Sequence, residues 1–321
     1  MSAVVTTLAR AEAYLAERRR LGFVLDRSGS LTLSFARFAD ANGHDGSLTP
    51  VIVLRWAMEQ AMHADPFTWA KRVDVLRPFA RHLAEAEPET SFPEGAPFGR
   101  SHRRLAPHIY TPVETNAIIA AARSLGSEHG AGPVTMPALL GLLAATGLRI
   151  SEALALRCGD LDGSATQLVV RHSKFDRTRL VPLHPTTTAA LRAYLRVRAK
   201  LGAVSPATPL FLDQRDGHAL RYTAVRQAWM RLTADLGILP RGGHRFLRIH
   251  DLRHTFICRR LMLWQAEGAD IDNAMLALST YVGHVNLGDT YWYLQAVPEL
   301  MALAGTRFEA FGSAATEVRH G

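Results

Sequence analysis

Between Thr166 and His184 the chain reads TQLVVRHSKFDRTRLVPLH. Two runs, Leu168 to Val170 and Leu180 to Leu183, flank a polar turn, which is the pattern of a β-hairpin. This is the clearest strand signal in the chain, and what surrounds it has helical spacing. In LARAEAYLAERRRLGF, the apolar residues Leu8, Ala11, Tyr14, Leu15 and Leu21 recur at helical intervals. Thr49-Pro50, Asp65-Pro66 and Thr111-Pro112 each pair an N-cap residue with proline at the first helical position. Gly43 and Gly147 stand where helices should stop. The expected fold is mainly α with a small antiparallel β-sheet, inserted early in the second of two domains.

Residues 1–90 read as four short helices, a small bundle with basic faces. From Glu87 to Pro112 the stretch EPETSFPEGAPFGRSHRRLAPHIYTP is rich in Pro, Gly, Ser and Arg and lacks periodicity. It marks a linker over residues 91–110. A second domain is expected over 111–304, followed by a tail, 305–321. No run of about 18 apolar residues points to a membrane span. The first helical stretch carries Glu12 and Glu17 among its arginines, unlike a signal peptide. A cytoplasmic protein is therefore expected.

Lys and Arg number 37 against 29 Asp and Glu, a net charge of +8. Such an excess suits a polyanion, nucleic acid first and an acidic membrane surface second, though a merely basic soluble enzyme also fits. Lys71 and Arg72 on the bundle, and Arg100, Arg103 and Arg104 in the linker, are candidates to track a phosphate backbone. The alternative is an ordinary solvated surface. The two cysteines, Cys158 and Cys258, fit a reduced compartment and cannot make a four-cysteine zinc site.

Three stretches carry residues suited to chemistry. Arg149 follows ATGL at a helix start, where a guanidinium adds to free N–H groups and the helix dipole to make an anion site. Glu152, three residues on, can hold it. In IHDLRHTF, His250, Arg253 and His254 share one helical face. His250 and His254 have the spacing of a zinc-binding pair. However, Asp251 stands where a zinc protease has its Glu, and no third ligand is evident. His250 and Arg253 also make a donor set for a phosphate, with His254 then as packing or as support behind them. Finally, GHVNLGDTYWYL holds His284 and two tyrosines, Tyr291 and Tyr293. Residues two apart on a helix point about 200° apart, so both tyrosines cannot enter one site.

Taken in order, TGLRISEALALRCGDLD, HSKFDRTRLVPLH, HDLRHTF and GHVNLGDTYWYL resemble the tyrosine recombinase, or phage integrase, family over about residues 110 to 300. The resemblance implies a helical core-binding domain ahead of a catalytic domain. It implies a site-specific DNA recombinase or transposase that cuts and rejoins DNA through a covalent 3′-phosphotyrosine, with no metal and no cofactor. Tyr293, nine residues after His284, is then the nucleophile, and Tyr291 is packing. Arg149 and Arg253 clamp the phosphate. Lys174 in the hairpin turn protonates the leaving oxygen; the sequence has only two other lysines, Lys71 and Lys200. His250 and His284 bond the phosphate or move a proton, and Glu152 supports Arg149. The implied partner is double-stranded DNA, bound as a homo-tetramer on two sites, with partner recombinases in some systems and no membrane. The sequence permits the tail to dock on a neighbouring subunit; the alternative is a frayed terminus.

The wording GDTYWYLQAVPEL departs from much of the family. It has Asp289-Thr290 before the tyrosine and no histidine after it, and so looks like the transposase-type branch of mobile elements. The alternatives are a catalytically silent DNA-binding protein of the same fold, a metallohydrolase on His250 and His254, and a telomere resolvase or type IB topoisomerase.

Overall fold

Helix starts are set by side chains that the sequence supplies for the purpose. The computed structural model describes residues 5–59, 61, 65–102, 104–126, 130–173 and 177–296, with backbone alone at 172, 173, 177, 295 and 296. The chain forms two compact units, residues 1–104 and 105–321.

The first unit holds α1 (Thr7–Arg20), α2 (Asp26–Ala41), α3 (Pro50–Glu59) and α4 (Pro66–Ala86). The Thr6 hydroxyl accepts from the Ala9 N–H at 3.1 Å. Near the end of α2, Asp40 reaches back to accept from the N–H groups of Thr7 and Leu8, at 2.8 and 3.0 Å. The free donors of α1 are thus satisfied by a neighbouring helix. Asp65 caps α4 from the Thr68 N–H at 3.0 Å, with Pro66 at the first helical position. Phe35, Trp56, Leu76 and Phe79 are fully buried between the helices, each worth roughly 1.5–3 kcal/mol of transfer free energy.

Two expectations about this unit are corrected. Arg72 does not face a polyanion. It is 9% exposed, its guanidinium lies 3.8 Å from the centre of the Trp56 ring, and Nη2 donates to the Trp56 carbonyl at 3.3 Å. Its position, four residues before Leu76, puts it on the inner face of α4. Lys71, one residue earlier, is exposed beside Phe67. Arg100 and Arg104 are exposed as well, and Arg103 lies outside the described residues.

Part of the stretch expected as an interdomain linker is packed onto the first unit. Ser91 donates to the Leu48 carbonyl at 2.8 Å, and Phe92 and Phe98 pack on the first core. Residues 91–104 therefore go with the first unit. Leu105 to Tyr110 go with the second, where Tyr110 is buried.

The second unit runs α5 (Pro112–Ala121), α6 (Thr135–Thr146), α7 (Ile150–Ala155), β1 (Gln167–Ser173), β2 (Arg177–Pro182), α8 (Pro185–Arg198), α9 (Tyr222–Asp235), α10 (Asp251–Ala266), α11 (Ile271–Val282) and α12 (Gly288–Ala296). Helix α6 is apolar on most of its faces and buries Met136, Leu139, Leu140, Leu142 and Leu143, as a central helix must. It packs against α10 and α8. The two strands pair antiparallel, with Leu168 opposite Val181 and Val170 opposite Arg179. Leu168, Val170 and Val181 are buried, whereas Leu180 is exposed. The period of two thus sends Arg179 to the same face as Val181, toward the interior. A second cluster, including Ile257, Leu261, Met275, Leu278 and Val282, joins α10, α11 and α12. Among the described residues no helix is long and apolar enough to cross a membrane.

Candidate active site

Two helices end on left-handed glycines, and the site is built around those ends. Gly147 closes α6 at φ +63° and Gly283 closes α11 at φ +70°. A Cβ on Gly147 would stand 2.5 Å from the Phe256 ring, and one on Gly283 would stand 2.6 Å from the Arg179 guanidinium. Only glycine combines that backbone with that closeness.

The last carbonyls of α11 have no partner within the helix. Three successive ones are met by three different arginines. Arg179 Nε donates to the Tyr281 carbonyl at 2.9 Å, Arg253 Nη2 to that of Val282 at 2.8 Å, and Arg149 Nη2 to that of Gly283 at 3.0 Å. Arg253 Nη1 also donates to the Gly147 carbonyl at 2.8 Å. The negative end of the helix dipole offsets part of the repulsion among these cations. Arg253 is 2% exposed; burial, and then the charge of Arg149, pushes its pKa down to about 10. It stays protonated at neutral pH.

Glu152, in the first turn of α7, supplies the counter-charge. Its Oε1 accepts from Arg149 Nη1 at 2.8 Å and Arg179 Nη1 at 3.1 Å. Its Oε2 accepts from the Arg149 backbone N–H and from Arg179 Nη2, both at 2.9 Å. Burial alone would raise the carboxyl's pKa; Arg179 and Arg149 outweigh it and hold the pKa down at about 2. One carboxylate neutralises one of its two arginines, and the remaining charge, with that of Arg253, makes the group an anion receptor.

The histidines line the same group. His250 immediately precedes α10 and is exposed, yet the protein packed behind it, followed by the charges of Arg253, Arg248 and Arg149, pushes its pKa down to about 4. His284 follows Gly283, and its Nδ1 lies 2.7 Å from the buried Thr290 hydroxyl. Burial, then Arg253 and Arg149, lowers its pKa to about 3. His254 stands edge-on to His250, with ring centres 4.8 Å apart. Burial and then His250 drive its pKa to about 2. All three are neutral at pH 7.

Tyr293 is 3% exposed and turned into this group. Its hydroxyl lies 2.6 Å from His254 Nδ1, and its ring lies parallel to His284 with centres 6.4 Å apart. Tyr291 points elsewhere: its hydroxyl donates to Asp272 Oδ1 at 3.0 Å, on the outer side of α11. The structure thus gathers Arg149, Glu152, His250, Arg253, His284 and Tyr293. Lys174 and the tail lie outside the described residues. Among the described residues no three His, Cys, Asp or Glu side chains group as a metal site would need, and His254 Nδ1 is engaged with Tyr293.

Sequence reading did not single out Arg179, took Thr290 only as a departure from the family wording, and gave His254 no contact with the tyrosine. Arg179 had one available signal: counting alternate positions back from the apolar Val181 places a charged residue on the buried face of β2.

Comparison with known proteins shows the family to which the chain belongs. The phage integrase family model matches residues 109–299. The integrase/recombinase y4rB of Sinorhizobium fredii is 34% identical over 301 residues, covering 93% of this chain and 95% of that protein. The tyrosine recombinase XerD of Rhizobium meliloti is 30% identical over 237 residues, 72% of this chain and 70% of its own. Among solved structures, the XerH site-specific recombinase bound to palindromic difH substrate in a post-cleavage complex superposes with a TM-score of 0.64 at 17% identity, over 94% of this chain and 85% of that one. The Tn1549 transposon integrase with transposon right end DNA gives 0.62 at 17% identity, over 93% and 98%. At that identity the two structures speak for the shared fold.

Proposed function

We infer that this chain, which belongs to the phage integrase family and is a site-specific recombinase, cuts and rejoins double-stranded DNA through a covalent bond between Tyr293 and a 3′ phosphate. The observation that carries this reading is the orientation of Tyr293. Of the two tyrosines on α12, it is the one whose hydroxyl meets His254, with its ring beside His284 and its charge felt by Arg253, whereas that of Tyr291 meets Asp272. In this reading, Tyr293 Oη attacks the scissile phosphorus, the bond from phosphorus to the 5′ oxygen breaks, and the departing oxygen takes a proton. A 5′ hydroxyl from another strand then attacks the phosphotyrosine, releases Tyr293 and restores a phosphodiester. One ester is exchanged for another, so no external energy is needed.

The phenol, with a pKa near 10 in water, must lose its proton as it attacks. Neutral His254 is placed to accept that proton's hydrogen bond at Nδ1. Arg149 and Arg253 would bind the non-bridging oxygens, whose charge grows in the transition state. The contacts described above use two of the five N–H donors on each guanidinium. His250 and His284 would add neutral hydrogen bonds, and Lys174 would protonate the 5′ oxygen. Fixed arginines supply the charge stabilisation for which other phosphoryl-transfer enzymes use Mg²⁺, so the reaction is proposed to need no metal. The DNA-bound relatives support double-stranded DNA as the partner. A homo-tetramer on two DNA sites is the assembly proposed for strand exchange, and Lys71, Arg100, Arg103 and Arg104 are proposed backbone contacts.

Nicked suicide DNA carrying the ends of the protein's own element tests this reading. In EDTA, wild type should give a protein–DNA adduct that survives denaturing electrophoresis. Failure to form the adduct on DNA that the protein binds would contradict the reading, as would an adduct formed only when Mg²⁺ is added.

A further inference from the structure

The residue that binds the site together is not one of those expected to touch DNA. Arg179 is 10% exposed at its side chain and makes contacts in three directions. Its two terminal nitrogens grip both oxygens of Glu152, its Nε holds the end of α11, and its planar face lies where Gly283 lacks a side chain. We propose that Arg179 is a positioning residue for DNA cleavage: by occupying Glu152 and the Tyr281 carbonyl, it keeps Arg149 aimed at the scissile phosphate. The proposal rests on the recombinase reading.

The argument turns on competition for one carboxylate. Glu152 is buried, and each of its oxygens accepts two hydrogen bonds. With Arg179 present, Arg149 gives Glu152 a single side-chain N–H and keeps another for the Gly283 carbonyl. Without Arg179, Glu152 would keep its charge in a buried place with half its partners gone. A guanidinium and a carboxylate pair best through two parallel bonds. Arg149 is the arginine within reach and would rotate to make them, leaving Gly283 and the phosphate site. Arg179 can do this because β2 carries it inward opposite Val170; a register slip of one residue would turn it to solvent. The hairpin therefore contributes to the clamp through its second strand.

The test uses full-length protein on nicked suicide DNA at saturating concentration, with Arg179→Ala and Arg179→Lys. Adduct formation is followed in a single turnover on an ordinary phosphodiester and on a methylphosphonate at the cut. The neutral methylphosphonate asks less of Arg149. Arg179→Ala should slow phosphodiester cleavage by about 30-fold or more, of the order seen when a charge-stabilising donor is lost. Its DNA affinity should stay within about threefold, because phosphate contacts elsewhere carry binding. The loss on methylphosphonate should be clearly smaller, and added guanidinium should restore part of the phosphodiester rate. Arg179→Lys keeps the charge without the fork and should recover little. Equal losses on both linkages, or no loss, would overturn the proposal.

A crystal structure of Arg179→Lys, or of Arg179→Ala if it folds, reads the same point without activity. Arg149 detached from the Gly283 carbonyl and paired twice with Glu152 supports the proposal; Arg149 left in place overturns it. A wild type that forms no adduct would count against the recombinase reading and leave this structural test standing.

Discussion

Both units of the chain bury arginines, and the surroundings give two of them, Arg72 and Arg253, opposite work. Arg72 in the helical bundle lies flat on Trp56 and donates to that residue's own carbonyl. With the Trp56 ring against it, it acts as a large flat packing group with a charge at the edge. Arg253 in the second unit lies among cations, with Arg149 and Arg179 meeting the adjoining carbonyls of α11. Like charges gathered at one helix end are costly unless something negative arrives. Glu152 provides part of that, and a phosphate would provide the rest. Burial alone therefore does not identify a functional arginine; a surplus of uncompensated positive charge around it does.

Arg253→Lys should break the comparison most severely on one side. It keeps the charge and loses the fork, so single-turnover cleavage should fall by about 10²–10³-fold while DNA binding persists. Arg72→Ala should act on the other side only. It removes a desolvated cation–π contact and a buried hydrogen bond, at a cost of about 2 kcal/mol. Calorimetry should show the first unit melting several degrees lower, with the cleavage rate of the folded protein unchanged at low temperature. A slower cleavage step in Arg72→Ala, or a large melting shift with normal cleavage in Arg253→Lys, would undo the contrast.

Gly283→Ala lies between the two. It forces a left-handed alanine against the Arg179 guanidinium, costing about 1–2 kcal/mol, and should slow cleavage because the same residue adjoins the arginine ladder.

How much of this was legible from sequence differs by feature. The Thr-Pro and Asp-Pro helix starts and the hairpin are local signals and are found where the chain announces them. Arg149 and Glu152 were legible as a pair because their contact spans three residues. Tyr293 could be preferred over Tyr291 only by spacing; what the helix faces adds is that one hydroxyl meets His254 and the other Asp272. Arg179 escaped notice because its partners lie 27 and 102 residues away, and no local pattern encodes such contacts. Arg72 was misread by type: an arginine suggested surface, although its helical phase was that of Leu76. Residues 91–104 were misread by composition, since Pro and Gly hid the two phenylalanines that anchor them.

Acid should sharpen the contrast as well. His250, His284 and His254 take up protons from about pH 6.5 downward when unfolded, but only near 4, 3 and 2 when folded. The unfolded chain then binds more protons, so stability falls as pH drops below about 6.5. Glu152 adds to the loss as pH falls from its ordinary 4.5 toward 2. Melting measured from pH 8 to pH 4 should stay level above pH 7. Below it, the second unit should lose about 2–4 °C for each kcal/mol. Smallest of all, Tyr291→Phe removes a surface hydrogen bond to Asp272 and should change stability by about 0.5 kcal/mol or less, with cleavage unaffected.

The most direct measurement is to trap the adduct on nicked suicide DNA, digest it with protease and nuclease, and sequence the nucleotide-bearing peptide by mass spectrometry. The account predicts a phosphonucleotide on Tyr293, with Tyr291 in the same peptide unmodified. A label on Tyr291, or on any residue other than Tyr293, would contradict it.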